Sequence, residues 1–434
     1  MTMAADKQDK VLNFSSEREQ SGACSSSAER ENNQGKNFLN VPNTGKVPTL
    51  RFPEFTGNWE KTKLADITKR VLRKNKGVVS ERPLTISAQY GLIDQRDFFN
   101  KVVASENLEG YYLLKKGEFA YNKSYSNEYP WGAVKRLDSY DEGALSTLYI
   151  CFECIGVDGD WLVHYFDSPK WNGQVSAIAV EGARNHGLLN VGIEDFFGTQ
   201  HFVPNNKKEQ KKIATFLNLI DERISTQIRI IEDLKSLSDV ICERLYTPSD
   251  KESWQTYKYA DLFSISNERN SKLQYTNVLS ASQEYGMIER NELNIDIKFE
   301  ASSITNYKIV RPNQYVIHLR SFQGGFAYSD KTGVCSPAYT ILVPNEKLST
   351  AFLKYYFTSK KFINSLRIVT YGIRDGRSIS VEEFLQLKVA IPNITRQQHI
   401  VRVMQLWEEK IRIEESYLTR LHQQKRHLLT TMFI

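Results

Sequence analysis

The sequence overlays itself. Shifted by 195 positions, Trp59 falls on Trp254, Lys63 on Lys258, Asp66 on Asp261, Ser87 on Ser282, Tyr90-Gly91 on Tyr285-Gly286 and Ile93 on Ile288, with no gap over that stretch. With small changes of offset the match resumes. Gly143 and Ser146 meet Gly333 and Ser336, Tyr165-Phe166 meet Tyr356-Phe357, and Gly182 and Arg184 meet Gly372 and Arg374. Pro204 with Gln210 then meets Pro392 with Gln398. A chain that repeats at this period folds as two copies of one arrangement.

Each copy has the same internal order. A mixed segment of short alternating runs, such as Tyr111 to Tyr121 and Tyr315 to Leu319, is broken by Gly and Asn and reads as strands, loops and short helices. A proline closes it, and a long stretch without Gly or Pro follows. These stretches carry heptads. The first runs Ile213, Leu217, Ile220, Ile224, Gln227, Ile231, Leu234, Ser238, Ile241, Leu245; the second, 187 residues on, runs Ile400, Met404, Trp407, Ile411, Glu414, Leu418, Leu421, Lys425, Leu428, Met432. Spacings alternate between four and three, and the polar entries fall at the same two rungs in both. Such a stripe is buried against another helix, so the two seams are expected to pair antiparallel as a coiled coil, each helix about 60 Å long at 1.5 Å per residue. The polar rungs are placed to fix register. A single surface helix packed on its own domain is the plainer alternative.

Composition sets the frame for this repeat. The 434 residues carry a net charge of +6 and are 41% hydrophobic, enough for about three core-forming units at roughly 150 residues each. No apolar run reaches 18 residues, which excludes a helical membrane span, and the start shows no basic cluster leading into an apolar stretch. Five cysteines, Cys24, Cys151, Cys154, Cys242 and Cys335, suit free thiols in the cytoplasm. Residues 1–46 are polar and aperiodic and are expected to be a disordered tail. The domains that follow are expected at 47–206, 251–394 and, for the two long helices, 207–250 and 395–434.

Catalytic signatures are scarce. The sequence holds no phosphate-binding glycine loop, dinucleotide fingerprint, H-E-x-x-H or G-x-S-x-G, and no Asn-Pro-Pro-Tyr or Asp-Pro-Pro-Tyr. Cys151-Phe-Glu-Cys154 is a lone C-x-x-C in a strand-like run with no counterpart in the second copy, so no metal site is expected, since a structural zinc needs four ligands. Cys-His catalysis through His164 rests on no spacing. The reading is a binder without catalytic residues.

Charge points to where it binds. Residues 58–206 hold 17 basic and 19 acidic side chains, and residues 253–391 hold 17 and 12. Overall charge therefore does not bring the first copy to a polyanion, and local clusters must. Arg70, Arg73, Lys74 and Lys76 lie within seven residues, and Lys115-Lys116 and Lys135-Arg136 add two basic points. Gly182-Ala-Arg184-Asn185-His186-Gly187 and Gly372-Ile-Arg374-Asp-Gly-Arg377 occupy equivalent places as Gly-rich turns able to bring Arg to guanine or phosphate. Arg320 and Gln323, in Arg-Ser-Phe-Gln-Gly-Gly, form a further candidate loop with no clear counterpart in the first copy. Copies that share framework tryptophans and differ in their loops are what two readers of different sequences look like.

From residue 47 onward the chain resembles the specificity subunit of type I restriction-modification enzymes. The resemblance rests on Leu-Arg-Phe-Pro-Glu-Phe at 50–55 with Trp59, Tyr-Gly at 90 and 285, Tyr-Gly-Ile-Arg-Asp-Gly-Arg at 371–377, and the Pro-led entries into two long helices at 204 and 392. It implies an α+β chain of two tandem α/β target recognition domains separated by two long helices in an antiparallel, pseudo-twofold coiled coil. Each domain is then expected to read one half of an asymmetric, bipartite site on double-stranded DNA. The implied partners are two methyltransferase subunits and restriction subunits, which carry S-adenosylmethionine, ATP and Mg; this chain supplies none of those cofactors. The alternative from a different class is a stand-alone two-domain DNA-binding regulator, distinguished by tight specific binding without partners.

Overall fold

The computed structural model describes residues 47–87, 91–99, 107–124, 129–184, 188–248, 253–282, 285–290, 301–318, 325–366, 370–371 and 378–434. The tail expected over residues 1–46 lies outside them. Of the described residues, those within Gly35–Ile230 and Glu414–Ile434 form a first compact unit, and those within Ile231–Ile413 form a second.

In the first unit, Thr68–Arg70, Ile150–Cys154, Phe119–Asn122 and Ala133–Arg136 lie side by side in that order, all antiparallel. A second four-stranded sheet orders Gly91–Asp94, Pro83–Ser87, Glu142–Leu145 and Tyr112–Lys115, with the middle two parallel. The run Tyr111 to Tyr121 is thus two strands, parted by a turn whose Gly117 has φ of 88°, a conformation that costs glycine nothing. Phe119, Tyr121, Phe152, Trp161 and Tyr165 form a core with Trp59. It takes in Ile213 and Leu217 from the first long helix, Lys207–Leu245, Leu428 from the end of the second, Ile394–Thr431, and Met432 and Phe433 just beyond it. The Leu-Arg-Phe-Pro arm closes over this end: Leu50 N–H donates to the Thr431 carbonyl, and Arg51 grips the buried Glu209 at 2.7 and 2.8 Å.

The second unit repeats the first sheet. Phe263–Ser266, Thr340–Pro344, Gln314–Ile317 and Phe326–Ser329 stand in the order of their counterparts, again all antiparallel. Tyr259, Phe326, Phe357, Phe362 and Phe384 pack with Cys242 of the first long helix, Tyr246 just after its end, and Ile400 and Met404 of the second.

Along both long helices the positions of the heptad ladder are buried or half-buried, and the residues between them are mostly exposed. Within the first unit, Asp221 meets Lys425 and Gln227 meets Glu414, so residue number rises along one segment as it falls along the other. A buried glutamine ties each helix start to its own unit. Gln210 accepts from the Asp158 N–H at 2.7 Å and donates to the Pro204 carbonyl at 2.7 Å. In the second unit these bonds belong to Gln397, which accepts from the Ser349 N–H at 2.8 Å and donates to the Pro392 carbonyl at 2.9 Å. The pairing of Gln210 with Gln398 is therefore corrected: Gln398 is exposed, and the second copy has one residue fewer between proline and helix.

Candidate nucleic-acid interface

The first basic cluster sits where the strand Thr68–Arg70 runs out of its sheet. Its four members have different circumstances. Arg73 makes a double hydrogen bond with the buried Glu118, at 3.0 and 3.1 Å, and a third bond to the Leu113 carbonyl. The Glu118 carboxylate raises the arginine's pKa further. The Arg73 side chain remains 39% exposed, with Glu118 as its ion-pair partner. Lys74 lies 4.2 Å from the centre of the Tyr112 ring and donates to the Gly110 carbonyl. Arg70 is half-exposed and Lys76 exposed.

Of the two further basic points, Lys115 and Lys116 are exposed, and Lys135-Arg136 is internal. Lys135 reaches Asp167 at 2.7 Å, and Arg136 is held between Asp138 and Asp160 at 2.7 Å each. Both arginine and lysine are less than a fifth exposed, so they were misread as surface charge because their acidic partners lie up to 32 residues away. Asp167 also faces Lys425 at 3.5 Å. Burial pushes its pKa up, but the two lysines outweigh that and hold it below the ordinary value.

The Gly-rich turns are the connections of β-hairpins. Val180–Arg184 pairs antiparallel with Leu188–Asn190, with Arg184 opposite Leu188 at the hairpin's end. Asn185 and His186 lie outside the described residues. In the second unit, Thr370–Tyr371 pairs with Ser378–Ile379 in the same way, and Arg374 and Arg377 belong to the connection outside the described residues. Arg320 and Gln323 also lie outside them. The ends they join are described: Ile317 stands opposite Phe326, and His318 N–H donates to the Gly325 carbonyl. This loop does have a counterpart. The equivalent strands of the first unit, Phe119–Asn122 and Ala133–Arg136, are joined by residues 123–132.

The first unit brings two of these loops together. Leu189 N–H donates to the Lys123 carbonyl at 2.8 Å, so the hairpin after Arg184 lies beside the connection that leaves Asn122. The Arg70–Lys76 cluster is not there. Phe119 stands beside Phe152 and Phe152 beside Arg70, which places the cluster at the opposite end of the Phe119–Asn122 strand. Four residues of strand span about 13 Å.

The candidate thiols and histidine are set in the core. Burial pushes the Cys151 thiol up to about 12 and Cys154 up to about 11, so neither is a thiolate at neutral pH. His164 is 1% exposed and bonded through Nε2 to Asn218 at 2.8 Å, and burial lowers its pKa. Among the described residues no cluster of His, Cys, Asp or Glu is placed to hold a metal ion, and no helix is long and apolar enough to cross a membrane. Sequence reading missed a further pair, Asn75 and Asn270, which organise equivalent loops. The shift of 195 aligns them and was signal enough to find them.

Comparison with known proteins gives these features a context. Residues 251–423 match the family model for the type I restriction modification DNA specificity domain. No curated protein matches the chain. One similar solved structure, from work on the complex assembly and conformational transition of the type I R-M system, is 13% identical. It covers 86% of this chain and 97% of its own, with a TM-score of 0.55. The type I S subunit from M. genitalium is 14% identical over 89% of this chain and 99% of its own, at 0.49, and the HsdS subunit from Thermoanaerobacter tengcongensis 14% over 86% and 96%, at 0.43. Residues 251–423 thus match the type I restriction modification DNA specificity domain, and the chain shares its fold with a structure from a type I R-M system.

Proposed function

We propose that this chain is the DNA sequence-specificity subunit of a type I restriction-modification complex, reading an asymmetric bipartite site and positioning methyltransferase and restriction subunits on it. One observation carries the reading. The two units share strand order and end in equivalent long helices, yet the hairpin connections they present differ in sequence, as two readers of different half-sites require. Arg184, Asn185 and His186 in one unit, and Arg320, Gln323, Arg374 and Arg377 in the other, are the proposed reading residues; Arg70, Lys74 and Lys76 serve phosphates.

In this reading the long helices pair as an antiparallel coiled coil through Ile213, Leu217, Ile220, Ile224, Ile231 and Leu234 with Ile400, Met404, Trp407, Ile411, Leu418 and Leu421. The length of that pairing sets the unread spacer. The contact between Gln227 and Glu414, which are equivalent positions of the two copies, supports a pseudo-twofold arrangement. Leu219 and Leu406, also equivalent, are 57% and 56% exposed and offer like apolar surfaces to two methyltransferase subunits. S-adenosylmethionine, ATP and Mg then belong to those partners.

The test is a genome-wide map of N6-methyladenine with this gene intact and deleted. Loss of one split motif supports the reading. Identical maps, in a host whose partner subunits methylate DNA in a reconstituted complex, overturn it.

A further inference from the structure

Two loops, 195 residues apart, are built alike around a buried asparagine. Asn75 donates to the Ser80 carbonyl at 2.8 Å and accepts from the Ser80 N–H at 2.9 Å. Asn270 donates to the Tyr275 carbonyl at 2.7 Å and accepts from the Tyr275 N–H at 3.2 Å. Both backbones are also pinned from outside, Asn75 N–H to the Tyr111 carbonyl and Asn270 N–H to that of Tyr307. Three residues after each asparagine the chain turns back, with Val78 and Leu273 N–H donating to the asparagine carbonyls.

These turns force Val78 to φ of 52° and Leu273 to 51°, a left-handed conformation that side chains resist and a β-branched one resists most. Glycine would sit there without strain. What is held instead faces water: Val78 is 38% exposed, its neighbour Val79 60% and Leu273 52%. Strain kept at equivalent points of two units points to a use outside the fold.

The common geometry also limits what that use is. A feature shared by both units cannot carry the difference between two half-sites, so it serves something that both halves share. Basic residues flank each tip. Lys76 stands two residues before Val78 and Lys272 immediately before Leu273, both exposed, while Lys74 and Arg269 occupy equivalent places at the loop bases. Of the four basic side chains in residues 70–80, Arg73 is paired with Glu118, and Glu109 Oε1 accepts from the Gly77 N–H at 3.0 Å; Glu268 at the base of the second loop is paired with Arg311.

We propose that Val78 with Val79, and Leu273, are sequence-independent contacts to duplex DNA, pressing aliphatic side chains against the sugar edges of a groove while Lys76 and Lys272 take flanking phosphates. This rests on the DNA-binding reading above and adds to it a positioning contact common to both halves. The exposed Lys76 and Lys272 beside the two tips favour a polyanion over a protein surface as the occupant.

The test compares the full chain with the Val78→Gly/Leu273→Gly variant, and with Val78→Asn/Leu273→Asn as a second variant that tolerates the same backbone. Binding to a labelled random-sequence duplex is titrated over a range of salt, alongside thermal unfolding. The expected result is about tenfold weaker binding in both variants, an unaltered salt slope because no phosphate contact is lost, and a melting temperature unchanged or raised. Unaltered affinity with raised stability overturns the proposal. So does unaltered affinity with loss of co-purifying methyltransferase subunits, which assigns the tips to a protein surface. A parent chain that binds no duplex, alone or with its partners, overturns the DNA reading itself, and it shows before any variant is compared.

Discussion

Gln227 and Glu414 occupy equivalent positions of the two copies, and they are hydrogen-bonded to each other: Gln227 Nε2 donates to Glu414 Oε2 at 2.7 Å and to the Glu414 carbonyl at 3.2 Å. Gln227 is 5% exposed, so sliding either helical segment by one turn would leave its amide buried among apolar side chains. The rung therefore costs stability relative to leucine but specifies which residues face each other. Glu414→Ala is expected to lower the stability of the first unit by about 1 kcal/mol, because the carbonyl acceptor remains. Gln227→Leu with Glu414→Leu should restore or exceed the parent value, as thermal unfolding of the single and double variants will show.

Lys425 carries more weight than its partners' number suggests. It lies 2.7 Å from Asp221 and 3.5 Å from Asp167, and among the described residues the other lysine paired with Asp167 is Lys135. Lys425→Met removes one of two positive charges from a mostly buried carboxylate. Breaking a fully buried pair costs roughly 3–5 kcal/mol, and with about a fifth of Asp167 still reached by solvent the expected loss is roughly 2–4 kcal/mol. Lys425→Met with Asp167→Asn should recover part of it. Denaturant unfolding of the three variants measures the coupling.

His201 makes the first unit sensitive to mild acid. Thr199 gives its hydroxyl proton to the Phe196 carbonyl at 2.6 Å, so it accepts from His201 Nε2, and the Tyr165 hydroxyl then donates to Nδ1 at 2.7 Å. The chain of bonds fits the neutral ring, and burial lowers the histidine's pKa to about 4. Between the unfolded value near 6.5 and about 4, the unfolded chain takes up a proton that the folded one refuses. Stability is therefore lost as pH falls through that window, at about 1.4 kcal/mol per pH unit and up to roughly 3 kcal/mol from this group. Unfolding followed from pH 7 to 4 should show that limb, and His201→Gln should make it shallower. It will not vanish, because the pKa of His164 is lowered too; that ring faces Asn218, Asp221, Lys425 and Asp167. Asp167 itself, held low, acts only below the ordinary carboxylate range.

Much of this was legible because it is local. The four-and-three spacing from Ile213 to Leu234 and from Ile400 to Leu421 depends only on helix geometry, and those positions are the covered ones in the fold. What sequence could not give was pairing at a distance. Arg73 reads as a free cation until Glu118, 45 residues on, is seen to hold it, and Arg136 until Asp160 is. The hairpin shape of the Arg184 segment was likewise hidden, because two short strands around three residues leave almost no alternation to read.

The helix starts offer the sharpest check on how the two copies correspond. Asn206 caps the first long helix by accepting from the Lys208 N–H, and Asn393 caps the second by accepting from the Arg396 N–H. Counting from these asparagines puts Gln210 level with Gln397; counting from Pro204 and Pro392 puts it level with Gln398. Only the first count gives both glutamines a buried amide bonded to the preceding loop. Gln210→Ala and Gln397→Ala should each destabilise their own unit by about 1–3 kcal/mol, since each leaves buried backbone groups without a partner. Gln398→Ala should shift it by less than about 0.5 kcal/mol, as an exposed position does. Hydrogen exchange at the Asp158 and Ser349 amides reads the two sites separately. Protection at Ser349 should fall with Gln397→Ala and stay with Gln398→Ala, and the reverse pattern would restore the count from the prolines.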